Sequence, residues 1–95
     1  MPDPMNSILI DETDDVATAL MDLSRGDVGR YFAQGEIVEI VITENIPRYH
    51  KFAVHDIRET ALVRKYGAAI GQATQDICKG SYVHVHNLIS PGRKD

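Results

Sequence analysis

The sequence predicts one small domain that is mostly β, with one short helix. Two observations support this prediction. Short runs of β-branched and other apolar residues recur along the chain, and Gly, Pro, Asn or Asp turn signals separate them. A single stretch near the N-terminus instead has its apolar residues at helical spacing. The chain has 95 residues, which is enough for one hydrophobic core and for independent folding.

Residues 7–10 form the first predicted strand, and the helix follows over 15–23. Val16, Ala17, Leu20 and Leu23 recur there at the spacing of one helix face. Acidic residues precede this stretch, where they can cap the N-terminus and interact favourably with the helix dipole. Gly26 lies where a helix stop is expected.

The remainder of the chain is predicted to form strands. They are expected at 28–31, 37–43, 50–54, 61–64, 68–73 and 80–87. The run at 37–43 is rich in β-branched residues and is expected to be largely buried. We expect residues 1–6 to form a flexible leader, 7–88 the domain and 89–95 a flexible tail.

A five-residue pattern recurs at 22–26, 56–60 and 76–80. Each copy begins with Asp, continues with an aliphatic residue and ends in a turn. The Asp side chain can bind nearby backbone N–H groups, so the pattern predicts a repeated chain reversal.

Composition excludes several classes of function. The formal net charge of −4 argues against binding to nucleic acid or to an anionic membrane surface. The longest apolar block is too short to span a bilayer. Cys78 is the single cysteine, so no internal disulfide can form, and without a signal-peptide pattern a cytoplasmic location is expected.

The strand at 80–87 carries two of the four histidines. In an extended strand Tyr82, His84 and His86 share one face, and the two histidines lie about 6–7 Å apart at Cα. Both imidazoles could then reach one metal ion or one anionic ligand. Two donors are fewer than the three protein ligands of a catalytic zinc-type site, and a plain surface strand is the alternative.

Two further clusters could carry chemistry. His50 can act as a general base or metal ligand, and Lys51 beside it can hold a carboxylate or an oxyanion. Lys65 and Tyr66 precede a turn glycine and could present a positive charge to an acidic ligand. A solvated loop is the alternative for each cluster.

These residues form one ordered signature. Its parts are 50–53, 56–57, 65–67, 70–74, 76–77, Gly80 and 83–87. In order and spacing the signature resembles the SAF domain of the altronate and galactarate dehydratase (UxaA) family, over roughly residues 7–88. One departure is Tyr49, which stands where the family typically has glycine, and this bears on the size of the substrate.

The resemblance implies a β-clip fold and a stand-alone small subunit of a hydroxy-acid lyase. The implied reaction removes water from a sugar acid such as altronate. Elimination of sulfite from sulfolactate is one alternative, and a non-catalytic module that binds a sugar acid or a partner is another. A larger dehydratase-like subunit is the expected partner, without which the chain is expected to be inactive, and an isolated chain could form a homo-oligomer.

The resemblance also implies a divalent metal, Fe²⁺ first and Mn²⁺ or Mg²⁺ as alternatives. His84 and His86 are then the candidate metal ligands, and His50 and His86 the candidate catalytic residues. Lys51, Lys65 and Asn87 are the candidate substrate-binding residues.

Overall fold

The computed structural model describes residues 5–90, and every regular element within them is a β-strand. The nine strands are β1 (Ser7–Ile8), β2 (Val16–Ala19), β3 (Val28–Ala33), β4 (Glu36–Val41), β5 (Lys51–Ala53), β6 (Leu62–Lys65), β7 (Ala68–Ala73), β8 (Tyr82–Val83) and β9 (Leu88–Ile89). The prediction of a mostly β fold is confirmed.

The strands form three antiparallel sheets. The central sheet has the order β1-β2-β5-β8, β3 and β4 form a hairpin, and the third sheet has the order β6-β7-β9. Strand β5 therefore lies between β2 and β8, and each hairpin is inserted between two strands of the central sheet along the chain.

Side chains of the central sheet alternate between two hydrophobic cores, as the period of two in a strand requires. Ala17 and Phe52 point to one face, where they pack with residues of the β3–β4 hairpin such as Ile40. Val16 and Ala53 point to the other face, where they pack with residues of β6 and β7 such as Val63. Both faces of the central sheet are thus covered.

The predicted helix at 15–23 is not formed, because part of that stretch is strand β2. Val16 pairs with Ala53 and Thr18 with Lys51. Three of the four β2 residues are buried, since a hairpin covers each face of the sheet. A strand buried on both faces shows no polar alternation, so its pattern can be mistaken for that of a helix.

The predicted turn unit occurs four times, not three. The fourth copy is 45–49, in which Asn45 replaces the leading aspartate. The aliphatic residues pair across the units, Leu23 with Ile46 and Ile57 with Ile77. The sequence pattern does not reveal this copy, because Asn45 stands in place of Asp and Pro47 indicates an ordinary strand end.

Side chains bind the paired units to each other reciprocally. The Arg48 N–H donates to Asp22 (2.8 Å), and the Arg25 N–H donates to Asn45 (3.0 Å). The second pair repeats this exchange: the Lys79 N–H donates to Asp56 (2.9 Å) and the Glu59 N–H to Asp76 (2.8 Å). The chain therefore contains two similar halves, each made of two units and a hairpin, and they share β5.

The last residue of each unit has a positive φ: Gly26, Tyr49, Thr60 and Gly80. At Gly80 the need for glycine is absolute, because a Cβ there would collide with the carbonyl oxygen of Val41. Tyr49 and Thr60 adopt the same left-handed backbone with a side chain, at a cost in conformational energy.

Two other stretches differ in detail from the sequence predictions. Outward-facing Ile37 and Val41 of the 37–43 run are exposed, whereas Ile40 and Ile42 are buried. The strand predicted at 80–87 ends at Val83.

The limits of the domain, residues 7–88, stay a prediction. Asn6 is hydrogen-bonded to Val28 and Arg30, and Ile89 belongs to β9, although they fall in the predicted leader and tail. The other parts of these two segments include residues 1–4 and 91–95, which lie outside the described residues. Within residues 5–90, no helix is long and apolar enough to cross a membrane.

Replacing Thr60 with glycine is predicted to stabilise the domain. Thr60 is exposed, has a β-branched side chain and adopts a φ of 73°. Glycine relieves the left-handed strain, and we expect the free energy of unfolding in urea to rise by about 1 kcal/mol. Glu59→Gly, one residue earlier and outside the positive-φ region, should lower stability instead; equal effects of the two variants would contradict the prediction.

Candidate functional site

The candidate site lies where β5 begins and β8 ends. The second turn unit, 45–49, ends immediately before His50, so this reversal delivers His50 and Lys51 to the edge of the central sheet. In the sheet, Phe52 is paired with Tyr82 and Lys51 with Val83. Segments that are thirty residues apart in the sequence therefore meet here.

Tyr82 is at the centre of three histidine rings. Its hydroxyl is 2.6 Å from Nδ1 of His50. Its ring is stacked on His84, with the centroids 5.4 Å apart and the planes 7° apart, and it contacts His86 at 5.5 Å. The rings of His50 and His84 are 5.0 Å apart. The structure thus brings together the three histidines that sequence reasoning selected, through a tyrosine that was not among the selected residues.

Asn87 shapes the turn that follows β8. Its Oδ1 accepts the N–H of His84 (2.9 Å), and its Nδ2 donates to the carbonyl of Tyr82 (2.8 Å). The residue is buried. These bonds curl the chain at 84–87, so His84 and His86 do not follow the strand alternation from which we predicted their common face. The role of Asn87 in substrate binding stays a prediction; here its amide holds the histidine turn.

Lys51 lies on the face of β5 opposite Phe52, close to Lys65 and Tyr66. Partial burial lowers the pKa of Lys51, and the positive charge of Lys65 lowers it further, against a smaller opposite effect of Tyr66. Among the residues that the structure describes, neither lysine ammonium has a carboxylate partner. The ammonium of Lys65 lies over the ring of Tyr66, 4.7 Å from its centroid.

A buried carboxylate, Asp14, holds the hairpin tip that carries Lys65 and Tyr66. Its oxygens accept the N–H groups of Gly67 (2.8 Å), Tyr66 (3.0 Å) and Asp11 (3.1 Å). Sequence reasoning missed this role, because an Asp pair before an apolar run was interpreted as a helix cap. No local signal marks a contact to a turn fifty residues away.

The surroundings of His84 disfavour the protonation of its ring. Desolvation lowers its pKa, and the nearby His50, Lys51 and His86 lower it further. At neutral pH His84 is therefore a neutral imidazole, which can accept a proton. The ammonium groups of Lys51 and Lys65, which have no carboxylate partner within residues 5–90, make this an electropositive site in a chain of net charge −4. Such a site is suited to an anionic ligand.

The same residues do not form a metal site by themselves. Within residues 5–90, no three His, Cys, Asp or Glu side chains are grouped so that they could hold an ion. Catalytic metal sites of the zinc type use three protein ligands. The two lysines also disfavour a cation at this place. The fourth histidine, His55, is paired with Asp15 at 2.7 Å and belongs to a different part of the surface.

Lys51→Met is predicted to stabilise the folded domain at neutral pH. The lowered pKa means that folding penalises the charged ammonium, and this penalty is fully present below the folded-state pKa. The penalty is relieved as the pH rises through that pKa towards the ordinary value of 10.5.

The melting temperature of Lys51→Met should therefore exceed that of the wild type at pH 7, and the difference should shrink as the pH rises towards the ordinary lysine value of 10.5. Thermal melts across this range measure it. Lys79→Met, at an exposed lysine of the turn unit 76–80, is the control and should change little. A Lys51→Met variant that melts below the wild type at pH 7 would contradict the account.

Comparison with known proteins shows that this chain is similar to part of two altronate dehydratases. Over 80 residues the chain is 42% identical to altronate dehydratase of Bacillus subtilis (strain 168). The matched stretch covers 84% of this chain and 15% of that protein. Over 83 residues it is 41% identical to altronate dehydratase of Escherichia coli (strain K12), covering 87% of this chain and 16% of that protein. The chain thus spans about one sixth of the length of these relatives.

A third relative is similar over a shorter stretch. Over 55 residues the chain is 38% identical to the (2R)-sulfolactate sulfo-lyase subunit alpha of Chromohalobacter salexigens. The matched stretch covers 58% of each of the two chains. The family model described as "Altronate/galactarate dehydratase SAF domain" matches residues 5–91, nearly the whole sequence. With the all-β fold and the electropositive site at the edge of its central sheet, this chain belongs to the altronate/galactarate dehydratase SAF domain family.

Proposed function

We propose that this chain binds the carboxylate of a hydroxy acid, such as altronate, as the small subunit of a lyase that eliminates water. The observation that carries the proposal is the pair of ammonium groups, Lys51 and Lys65, with no carboxylate partner among the described residues. Two lysines that repel each other at a partly buried place are stabilised by an anion that lies between them. The lyase relatives support a substrate that carries such a group.

The elimination itself needs groups of this kind. A proton leaves the carbon next to the carboxylate, and the C–O bond at the following carbon breaks, with the hydroxide leaving as water after protonation. The enol that results converts to a 2-oxo acid. Negative charge grows on the carboxylate oxygens as the proton leaves, and fixed positive charges nearby stabilise it.

The histidines supply proton-transfer groups beside the lysines. His84 is neutral at neutral pH and can accept a proton, and His86 is exposed next to it. We propose His50 and His86 as the other groups that contact the substrate. The described residues of this chain do not enclose a substrate, so we propose that a larger dehydratase-like chain completes the site.

A divalent metal, Fe²⁺ or alternatively Mn²⁺ or Mg²⁺, remains a proposal for the assembled enzyme. Bound to the substrate carboxylate, it would act as a Lewis acid. Because no three suitable side chains are grouped within residues 5–90, most of its protein ligands would have to come from the larger chain, with His84 or His86 adding to them.

Elimination of sulfite from sulfolactate is the second candidate. It is supported by the similarity to a sulfo-lyase alpha subunit. The matched stretch covers 58% of the length of that subunit but only about one sixth of the length of the two dehydratases. Sulfolactate also carries a carboxylate, so the same lysine pair suits it. A binding module without catalysis is the third candidate.

The function is tested by joining this chain with the larger dehydratase-like chain encoded in the same genome. We expect the mixture to convert altronate into a 2-oxo acid, which a carbonyl reagent detects, and neither chain to do so alone. Lys51→Met should raise the KM for altronate by roughly 10- to 100-fold, the cost of one lost charge-assisted hydrogen bond.

Lys79→Met is the matched control and should leave the KM unchanged. Sulfite release from sulfolactate without activity on altronate would favour the second candidate. Binding of either acid with no turnover in any combination would favour the module, and absence of binding would refute the proposal.

The isolated chain is expected to hold no stoichiometric metal. The chain is incubated with Fe²⁺ under reducing, anaerobic conditions, with Mn²⁺ or with Mg²⁺, and is then purified. Elemental mass spectrometry should find far less than one ion per chain, because residues 5–90 contain no group of three converging ligands. The assembled enzyme, treated in the same way, is the comparison. One tightly held ion in the isolated chain, lost in a His84→Ala, His86→Ala double variant, would contradict this expectation.

A further inference from the structure

The hydroxyl of Tyr82 and Nδ1 of His50 form one short hydrogen bond. The two atoms are 2.6 Å apart, at the short end of the range for such bonds. His50 directly precedes β5, and Tyr82 lies in the neighbouring strand β8, so the sheet fixes both backbones. Among the described residues, the hydroxyl has no second hydrogen-bond partner, and no carboxylate contacts the His50 ring.

The chemistry of the two groups decides which of them donates. A neutral imidazole has one N–H and one nitrogen lone pair. That lone pair is far more basic than a phenol oxygen, since histidine is protonated near pH 6.5 and the tyrosine hydroxyl instead loses its proton near pH 10. The Tyr82 O–H is therefore the donor and Nδ1 the acceptor. The proton of neutral His50 must then be on Nε2.

We propose that Tyr82 is a positioning residue that holds neutral His50 with its N–H on Nε2, so that His50 presents a hydrogen-bond donor to the bound anion. The inference rests on the proposed function, in which a hydroxy-acid carboxylate lies at this site. His50 then adds a neutral donor to the two ammonium groups of Lys51 and Lys65. No proton is transferred in this role; the N–H stabilises negative charge on the ligand oxygen.

The ring of Tyr82 gives the neighbouring histidines a different environment. It stacks on His84 with nearly parallel planes, and its centroid lies 5.5 Å from that of His86 with a tilt of 40°. Within residues 5–90, neither of these two histidines has a ring-nitrogen hydrogen bond. Tyr82 thus contacts one histidine whose tautomer it fixes, His50. It also contacts two histidines, His84 and His86, whose ring nitrogens have no hydrogen bond within residues 5–90 and can accept a proton or bind a ligand.

The tautomer can be read directly by NMR on the full 95-residue chain labelled with ¹⁵N, at about pH 9, where histidines are neutral. Long-range ¹H–¹⁵N correlations distinguish a protonated from a non-protonated ring nitrogen. In the wild type we expect His50 to show a non-protonated Nδ1 and a protonated Nε2. In Tyr82→Phe, which keeps the stacked ring and removes the hydroxyl, both nitrogen shifts should move towards those of a free imidazole.

Tyr66→Phe is the matched control, because it removes a nearby phenol that does not bind His50, and it should leave the His50 shifts unchanged. A protonated Nδ1 in the wild type, or His50 shifts in Tyr82→Phe identical to the wild type, would overturn the proposal. If Tyr82→Phe does not fold, the wild-type spectrum still decides, since the tautomer is read there. The reading needs no substrate, so a failure of the lyase assay would leave it intact and would count against the proposed function alone.

Discussion

The alternation of side chains along β5 is the constraint on which the rest of the molecule depends. This strand lies between β2 and β8 and has a hydrophobic core on each side. Phe52 fills one core and Ala53 the other, so a shift of one residue would exchange them and bury the wrong volumes. Because the register is set in this way, Lys51 and the preceding His50 emerge at a defined place at the end of the strand.

The two-halved construction explains how so short a chain brings the residues of the candidate site together. Each half returns to the central sheet through paired turn units whose side chains cap each other's backbone. The tip of the second hairpin is then held by Asp14, which brings Lys65 and Tyr66 towards Lys51. Desolvation and repulsion at Lys51 oppose folding, and binding sites commonly carry such a cost in stability.

The sequence predicted much of this organisation where local chemistry was sufficient. Of the seven strands predicted from the sequence, five match β3 to β7 with bounds that are nearly correct. The predicted strand 68–73 coincides with β7. It was wrong about 15–23, since burial on both faces removed the alternation that marks a strand. It also missed the turn unit at 45–49, because Asn45 performs the capping that the other units assign to aspartate.

Local chemistry thus determined by itself the β class, the turn units and the residue types of the site, since turns and alternation depend on near neighbours along the chain. Only the tertiary structure decided which of these residues meet. The bond between Tyr82 and His50 joins positions 32 residues apart, and the support of Gly67 by Asp14 joins positions 53 apart. No pattern in either segment specifies the other, because these contacts arise from the pairing of β5 with β8 and from the packing of the second hairpin against the central sheet.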